Sequence, residues 1–216
     1  PLNCQICEAS SRCLFSGLPL EQQRILRRER IFRHFKRGQI IFYQGDVLTH
    51  VFCVQAGALK VYKTDAYSRE IVIRLLGAGD IVGYRPFLAS EPAAATAATL
   101  EAATLCMIPK AAFLSLAEQS NELRGALLRQ LARDLRDSED QWFRLSNESL
   151  ENRVSAVLSR LSEQAPQGRR TQSDVRITVP RTEIARAVGI TPSTLSRVLR
   201  RLADGGTLTL ESRALV

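Results

Sequence analysis

The chain has 216 residues, 45% of them hydrophobic, with 30 basic against 22 acidic residues and a net charge of +8. That length supports one or two domains with a real core, and no apolar run of about 18 residues is present to span a bilayer. The basic excess favours a polyanionic partner, and it is uneven: beyond residue 150 every basic residue is arginine, and that last third holds more than half of the excess.

The opening Pro1-Leu2-Asn3-Cys4 lacks the basic region and apolar stretch of a signal peptide, so a cytoplasmic location is expected. A chain that opens on proline is expected to be trimmed from a longer one. Residues 1–17 read as a cysteine-rich loop ending in Ser16-Gly17. A short helix is expected from Leu18-Pro19 to about Arg30, with Leu20, Ile25 and Leu26 as its apolar side.

From Ile31 to Ile108 short β-rich runs alternate with glycines. The runs are Gln39 to Tyr43, Val51 to Val54, Ala58 to Tyr62, Glu70 to Leu75 and Ile81 to Gly83. Short strands at such spacing predict an antiparallel roll or barrel. Pro92 to Thr99 reads as a locally alanine-rich stretch.

Pro109 opens a small helical segment, and a longer helix is expected from about Asn121 to Ser146. Leu128, Leu131, Leu135, Trp142 and Leu145 fit an a/d ladder with Ser138 at its one polar rung. Arg129, Arg133, Asp134, Arg136, Asp137, Glu139 and Asp140 are expected on the exposed back. A narrow apolar seam with a charged back suits homodimer pairing; an amphipathic helix packed on its own domain is the alternative.

A helix from about Ser149 to Gln164 precedes the segment Val179 to Leu202. There Val188-Gly189 ends one helix at a glycine turn. Thr191 caps the next, and Pro192 takes its first position. Helix, glycine turn and capped helix make a helix-turn-helix. Leu195, Val198, Leu199 and Leu202 face the core, while Ser193, Ser196, Arg197 and Arg200 form the opposite face. Side chains there reach base edges in the major groove of double-stranded DNA. Arg200 and Arg201 are expected on phosphates, and Thr207 to Glu211 reads as a wing strand.

Five cysteines occur, at 4, 7, 13, 53 and 106. Clustered cysteines in a cytoplasmic chain suggest metal before disulfide. Cys4, Cys7 and Cys13 can grip one centre, either an Fe–S cluster or Zn, if a fourth ligand comes from elsewhere. Cys53, inside an apolar run, reads as core.

Lys36 to Asp46, Gly77 to Gly83 and Thr194 to Arg197 resemble signature segments of the CRP/FNR regulator family, and the cysteine pattern resembles its oxygen-sensing FNR branch. The likeness extends over nearly the whole chain. It implies an α+β architecture: an N-terminal antiparallel β-roll sensor domain, a long dimerisation helix and a C-terminal winged helix-turn-helix. The corresponding limits are a cluster-binding loop at 1–17, the β-roll at 18–113, the dimerisation helix at 114–146 and the DNA-binding domain at 147–216. The resemblance further implies that Cys4, Cys7, Cys13 and Cys106 hold a [4Fe–4S] cluster. Loss of that cluster to oxygen would weaken a dimer bound to a palindromic operator, and RNA polymerase is an expected partner.

Cyclic-nucleotide-binding relatives carry a glutamate after the second glycine signature, then an arginine–serine pair for the cyclic phosphate. Here Tyr84 and Ala94-Ala95 stand in those places, so cAMP binding is not expected. Ser193 stands where many FNR-like recognition helices carry glutamate, so a different operator half-site is expected. The alternatives are a regulator of the same fold that senses through Zn or a thiol–disulfide switch, one that senses through heme or nitric oxide, and a metal- or redox-handling enzyme with a basic tail. No acid–base pair marks a catalytic site, and a non-enzymatic role is expected.

Overall fold

The computed structural model of the chain describes residues 12–66, 70–164, 177, 179–206 and 208–209. Cys4, Cys7 and most of the expected wing lie outside the described residues. A helix α1 (Leu20–Glu29) leads into a β-rich body. Its strands are β1 (Ile31–Phe35), β2 (Ile40–Phe42), β3 (His50–Ala56), β4 (Leu59–Thr64), β5 (Glu70–Leu76), β6 (Ile81–Val82), β7 (Thr96–Thr99) and β8 (Ala103–Pro109), with the short helix α2 (Arg85–Ala89) between β6 and β7. Beyond them come α3 (Lys110–Gln119), α4 (Asn121–Asn147), α5 (Leu150–Gln164), α6 (Arg181–Val188) and α7 (Pro192–Asp204). Among the described residues no helix is long and apolar enough to cross a membrane.

The strands form two four-stranded antiparallel sheets, ordered β1-β8-β3-β6 and β2-β7-β4-β5. Their inner faces enclose a core that includes Phe42, Phe52, Val54, Leu59 and Leu105, and the same buried cluster continues on the other face of the first sheet through Val51 and Ile108 to Phe15, Leu26 and Phe113. At Gly57, where the chain passes from β3 in one sheet to β4 in the other, φ is +91° and a side chain would collide with the Ala102 carbonyl, so only glycine makes this turn. The strand β7 was not legible in the sequence. Its Thr-Ala-Ala-Thr is wholly buried between β2 and β4, where small side chains let neighbouring layers approach.

Residues 1–17 were expected to be a loop, and the described part is anchored. Phe15 and Leu18 are buried. The Phe15 ring meets Phe113 of α3 edge-on at 6.4 Å. Gln23, buried in α1, donates from Nε2 to the Leu18 carbonyl at 2.8 Å. The buried face of α1 is therefore Gln23 and Leu26, while Leu20 and Ile25, expected inside, are exposed.

The Ser120 hydroxyl caps α4 by accepting the Leu123 N–H at 3.1 Å. The boundary expected between residues 113 and 114 falls inside α3, and Ser120 is where one helix ends and the next begins. At 27 residues α4 is about 40 Å long. Its first half packs Leu123, Leu127 and Leu131 against the β-roll core. A second apolar core joins the outer face of the β2-β7-β4-β5 sheet, through Tyr62, Val72 and Leu75, to Val154, Ile184, Leu195, Val198 and Leu199 of the C-terminal helices. The C-terminal helices are thus docked on the β-roll in this conformation.

Candidate functional site

The recognition helix is built as its sequence requires. Gly189 takes the left-handed conformation at φ +75° and ends α6. The Thr191 Oγ1 accepts the Thr194 N–H at 3.2 Å, and Pro192 is the first residue of α7. Leu195, Val198 and Leu199 are fully buried, which fixes the rotation of the helix. Ser193, Ser196, Arg197, Arg200 and Arg201 are all exposed on its other side. The Ser196 hydroxyl donates to the Pro192 carbonyl at 2.9 Å, so its oxygen presents lone pairs outward. Arg201, expected on phosphate, pairs instead with Glu151 of α5 at 2.6 Å while staying largely exposed.

Docking of this domain is marked by a charge cluster. The buried Lys60 ammonium on β4 contacts Glu70 of β5 and lies 2.8 Å from Glu183 of α6. Arg186 joins it, 2.6 Å from Glu183 and 3.3 Å from Glu70. Nothing in the residues around Lys60 marks it out, since Leu59 to Tyr62 reads as an ordinary strand.

On α4 the expected seam divides. Leu128, Leu135, Trp142 and Leu145 are exposed, at 68%, 60%, 70% and 51%, and Phe143 joins them at 64%. Leu131 instead packs against the chain's own core. Ser138 is exposed, and its hydroxyl donates to the Asp134 carbonyl at 2.9 Å. Asp134 is not on the exposed back as expected. It faces the β-roll, pairs with Arg74 at 2.8 Å, and accepts from Tyr84 at 2.5 Å and from Gln130 at 2.9 Å. Its position follows Leu123, Leu127 and Leu131 at helical spacing, and that was the missed signal. Asp137 is also engaged, 3.0 Å from Arg160 of α5.

The third site is a small apolar cavity beside β3 and β8. Cys13, Cys53 and Cys106 all line it, with Phe15, Leu26, Arg30, Phe32 and Ile108 among its walls. Cys53 and Cys106 are direct cross-strand partners, so their side chains leave the sheet on one face. The Sγ atoms of Cys13 and Cys53 stand 3.7 Å apart. The Cys13 thiol is pulled down from 9.0 to about 7, chiefly by its hydrogen bond with Cys53, against the effect of burial. Backbone N–H groups of Phe15 and Ser16 and the charge of Arg30 act in the same downward direction. Among the described residues no group of three His, Cys, Asp or Glu side chains is arranged to hold a metal ion by itself. Cys53 is buried as expected, yet it belongs to this cavity, a role its apolar neighbours hid.

A further cavity lies between the β-roll and α4. Lys63, Arg74, Tyr84, Arg85 and Glu91 line it with Ala93, Ala94 and Ala95, closed by Ser138, Gln141 and Trp142. Its cationic residues were not singled out in the sequence.

Comparison with known proteins agrees with this architecture. A family model for the cyclic nucleotide-binding domain matches residues 32–120, and one for the Crp-like helix-turn-helix domain matches residues 152–216. The transcriptional activator protein anr of Pseudomonas aeruginosa is 28% identical over 215 residues, covering 98% of this chain and 86% of that protein. The fumarate and nitrate reduction regulatory protein of Escherichia coli is 26% identical, covering 98% of this chain and 85% of that protein.

The chain belongs to the CRP/FNR family of transcription regulators.

The regulator CLP of Xanthomonas campestris, described as c-di-GMP responsive, has a similar fold, with a TM-score of 0.75 at 22% identity over 92% of this chain and 98% of that one. FixK2 of Bradyrhizobium japonicum is similar at a TM-score of 0.74 and 18% identity, over 87% of this chain and 91% of that one. A CRP/FNR regulator binds DNA and dimerises. The exposed face of α7 and the apolar row on α4 are the surfaces of this chain suited to those two tasks.

Proposed function

We propose that this CRP/FNR regulator responds to oxidants through a [4Fe–4S] cluster held by Cys4, Cys7, Cys13 and Cys106. Cys13 and Cys106, far apart in sequence, line one cavity, and that convergence supports this function most directly. The donors suit the group: thiolates are soft ligands, and Cys13 is biased toward thiolate near neutral pH. Arg30 in the cavity wall offsets part of the negative charge that thiolates bring. When bound, such a cluster supplies an oxidant-sensitive link between the N-terminal loop and the β-roll.

The chain's own residues connect that link to the helix. Cys106 lies on β8, which runs at Pro109 into α3, and α3 meets α4 at Ser120. Phe15, two residues from Cys13, packs on Phe113 of α3. Displacing the loop therefore removes packing from the segment that sets the start of α4. The apolar row Leu128, Leu135, Trp142 and Leu145 would pair with a second copy, bringing two α7 helices to successive major grooves of a palindromic operator. Ser193, Ser196 and Arg197 would read bases, and Arg200 and Arg201 would meet phosphates. The protein acts in the cytoplasm by binding, with RNA polymerase as a further partner, and without cAMP because Ala94 and Ala95 offer no side-chain partner for a cyclic phosphate.

The test is an absorption spectrum of anaerobically purified protein with iron and sulfide analysis, repeated after exposure to air. A brown chain carrying iron and sulfide that bleaches in air is expected. A colourless, iron-free chain overturns the proposal and leaves an operator-binding protein with another trigger.

A further inference from the structure

Cys53 has no part in the ligand set above, yet it is the cysteine whose sulfur lies 3.7 Å from that of Cys13. We propose that Cys13 and Cys53 form a disulfide when a peroxide enters the thiol cavity, making this pair a site of reversible oxidation.

The two sulfurs differ in access. Cys53 is 5% exposed and fixed on β3, opposite Cys106 on one side and Ile81 on the other. Cys13 is half-buried and precedes a turn in which the Ser16 N–H and hydroxyl both bond to its carbonyl. Its side chain can therefore close on Cys53 by rotation, without disturbing a sheet. A bond between Cys53 and Cys106 would instead join two residues that the β-ladder already holds in register. Cys13 is the reachable partner and Cys53 the resolving one.

The chemistry balances. The Cys13 sulfur attacks one oxygen of hydrogen peroxide and the O–O bond breaks. One oxygen stays on sulfur as a sulfenic acid, and the other takes the thiol proton and leaves as water. The Cys53 sulfur then attacks the Cys13 sulfur, the S–O bond breaks, and the hydroxide leaves with the Cys53 proton as a second water. The two sulfurs together lose two electrons and the peroxide gains them. A low-molecular-weight thiol reverses the bond by exchange. The consequence for sensing rests on the cluster proposal: a chain oxidised here lacks Cys13 as a ligand until it is reduced.

Trypsin separates every cysteine that matters, with Cys13 on residues 13–24, Cys53 on 38–60, Cys106 on 75–110, and Cys4 with Cys7 on 1–12. The full chain is stripped of iron with a chelator, reduced, freed of reductant and treated with one equivalent of hydrogen peroxide. It is then quenched in acid, alkylated, digested without reduction and mapped by mass spectrometry. The expected product is peptide 13–24 linked to 38–60, with Cys106 alkylated. In C53S the link is absent and Cys13 is trapped by dimedone as the sulfenic acid. Linkage of 13–24 to 1–12, linkage of 38–60 to 75–110, or full alkylation of Cys53 overturns the pairing. An iron-free protein as isolated would defeat the cluster proposal and leave the 13–24 to 38–60 link intact; an alkylated Cys53 would do the reverse.

Discussion

The Tyr84 hydroxyl donates to the Asp134 carboxylate at 2.5 Å, joining the residue that follows β6 to the middle of α4. Arg74 of β5 grips the same carboxylate through two nitrogens, at 2.8 and 2.9 Å. The β-roll thus holds the Asp134 carboxylate of the long helix through one phenol and one guanidinium. Tyr84 follows Gly83 directly, and its phenol is engaged by a contact within the chain.

Removing the phenol should loosen that hold. Y84F is expected to lose about 1.5–3 kcal/mol at neutral pH, the range for a hydrogen bond to a charged group. Burial first, and the neighbouring carboxylate second, raise the Tyr84 pKa above its usual 10.0. The native state therefore keeps a proton that the unfolded chain loses as pH rises through 10, so this stabilisation is complete below pH 10 and declines above it. Urea midpoints of the wild type and Y84F at pH 8 and 10.5 should converge at the higher pH. A constant gap would show that the phenol proton is not held this way. The raised Tyr62 is common to both proteins and cancels in the comparison.

Lys60 should control docking of the DNA-binding domain. It is 7% exposed and faces both Glu70 and Glu183. K60M keeps the stem and removes the charge, leaving two carboxylates with Arg186 as their described cation. Breaking one side of a buried pair costs about 3 kcal/mol. Hydrogen exchange of the α6 amides is expected to quicken, with β3 and β8 unchanged. Equal protection of α6 in both proteins would mean that the apolar contacts of Val72 and Ile184 suffice alone.

Much of this molecule was legible in the chain. Glycine punctuation and short β-branched runs marked five strands, and the Gly189, Thr191 and Pro192 sequence defined the start of the recognition helix to the residue. What escaped depends on contacts between distant segments. Ala97 and Ala98 carry no strand propensity, and only their place between β2 and β4 makes them a strand. Asp134 looked like one more charge on a solvated face because its partners, Arg74 and Tyr84, lie far away in sequence. Cys53 looked like core and is core, and its nearness to Cys13 becomes visible only once the N-terminal loop folds back over β3.

The apolar row on α4 predicts opposite outcomes for two substitutions. Leu135 is 60% exposed in the single chain, and L135E would set like charges against each other across a two-fold seam. Sedimentation equilibrium should show a monomer that keeps the helical content of the wild type. S138L extends the row at its exposed polar rung and gives up only a bond from the hydroxyl to the Asp134 carbonyl. It should raise the dimer fraction in air. An unchanged fraction would place the interface elsewhere.

Arg197 and Arg201 sit four residues apart on α7 and differ in their surroundings. Arg197 lies in the first half of the helix, on the face opposite the buried Leu195 and Leu199. A side chain there can meet a guanine edge through two donors, and R197A should cost about 1–3 kcal/mol at the cognate site and relax preference at one base pair. Arg201 is held by Glu151 at 2.6 Å and must leave that pair to reach a phosphate. Part of its phosphate energy is therefore offset by the lost pair, and E151Q should strengthen binding to all sequences alike. R200A, by contrast, should weaken binding uniformly and lower the salt slope by about one. Titrations against cognate and scrambled duplexes at several salt concentrations distinguish the three. Equal loss on both duplexes for R197A would reassign Arg197 to the phosphates and leave the serines as the base-reading groups of the helix.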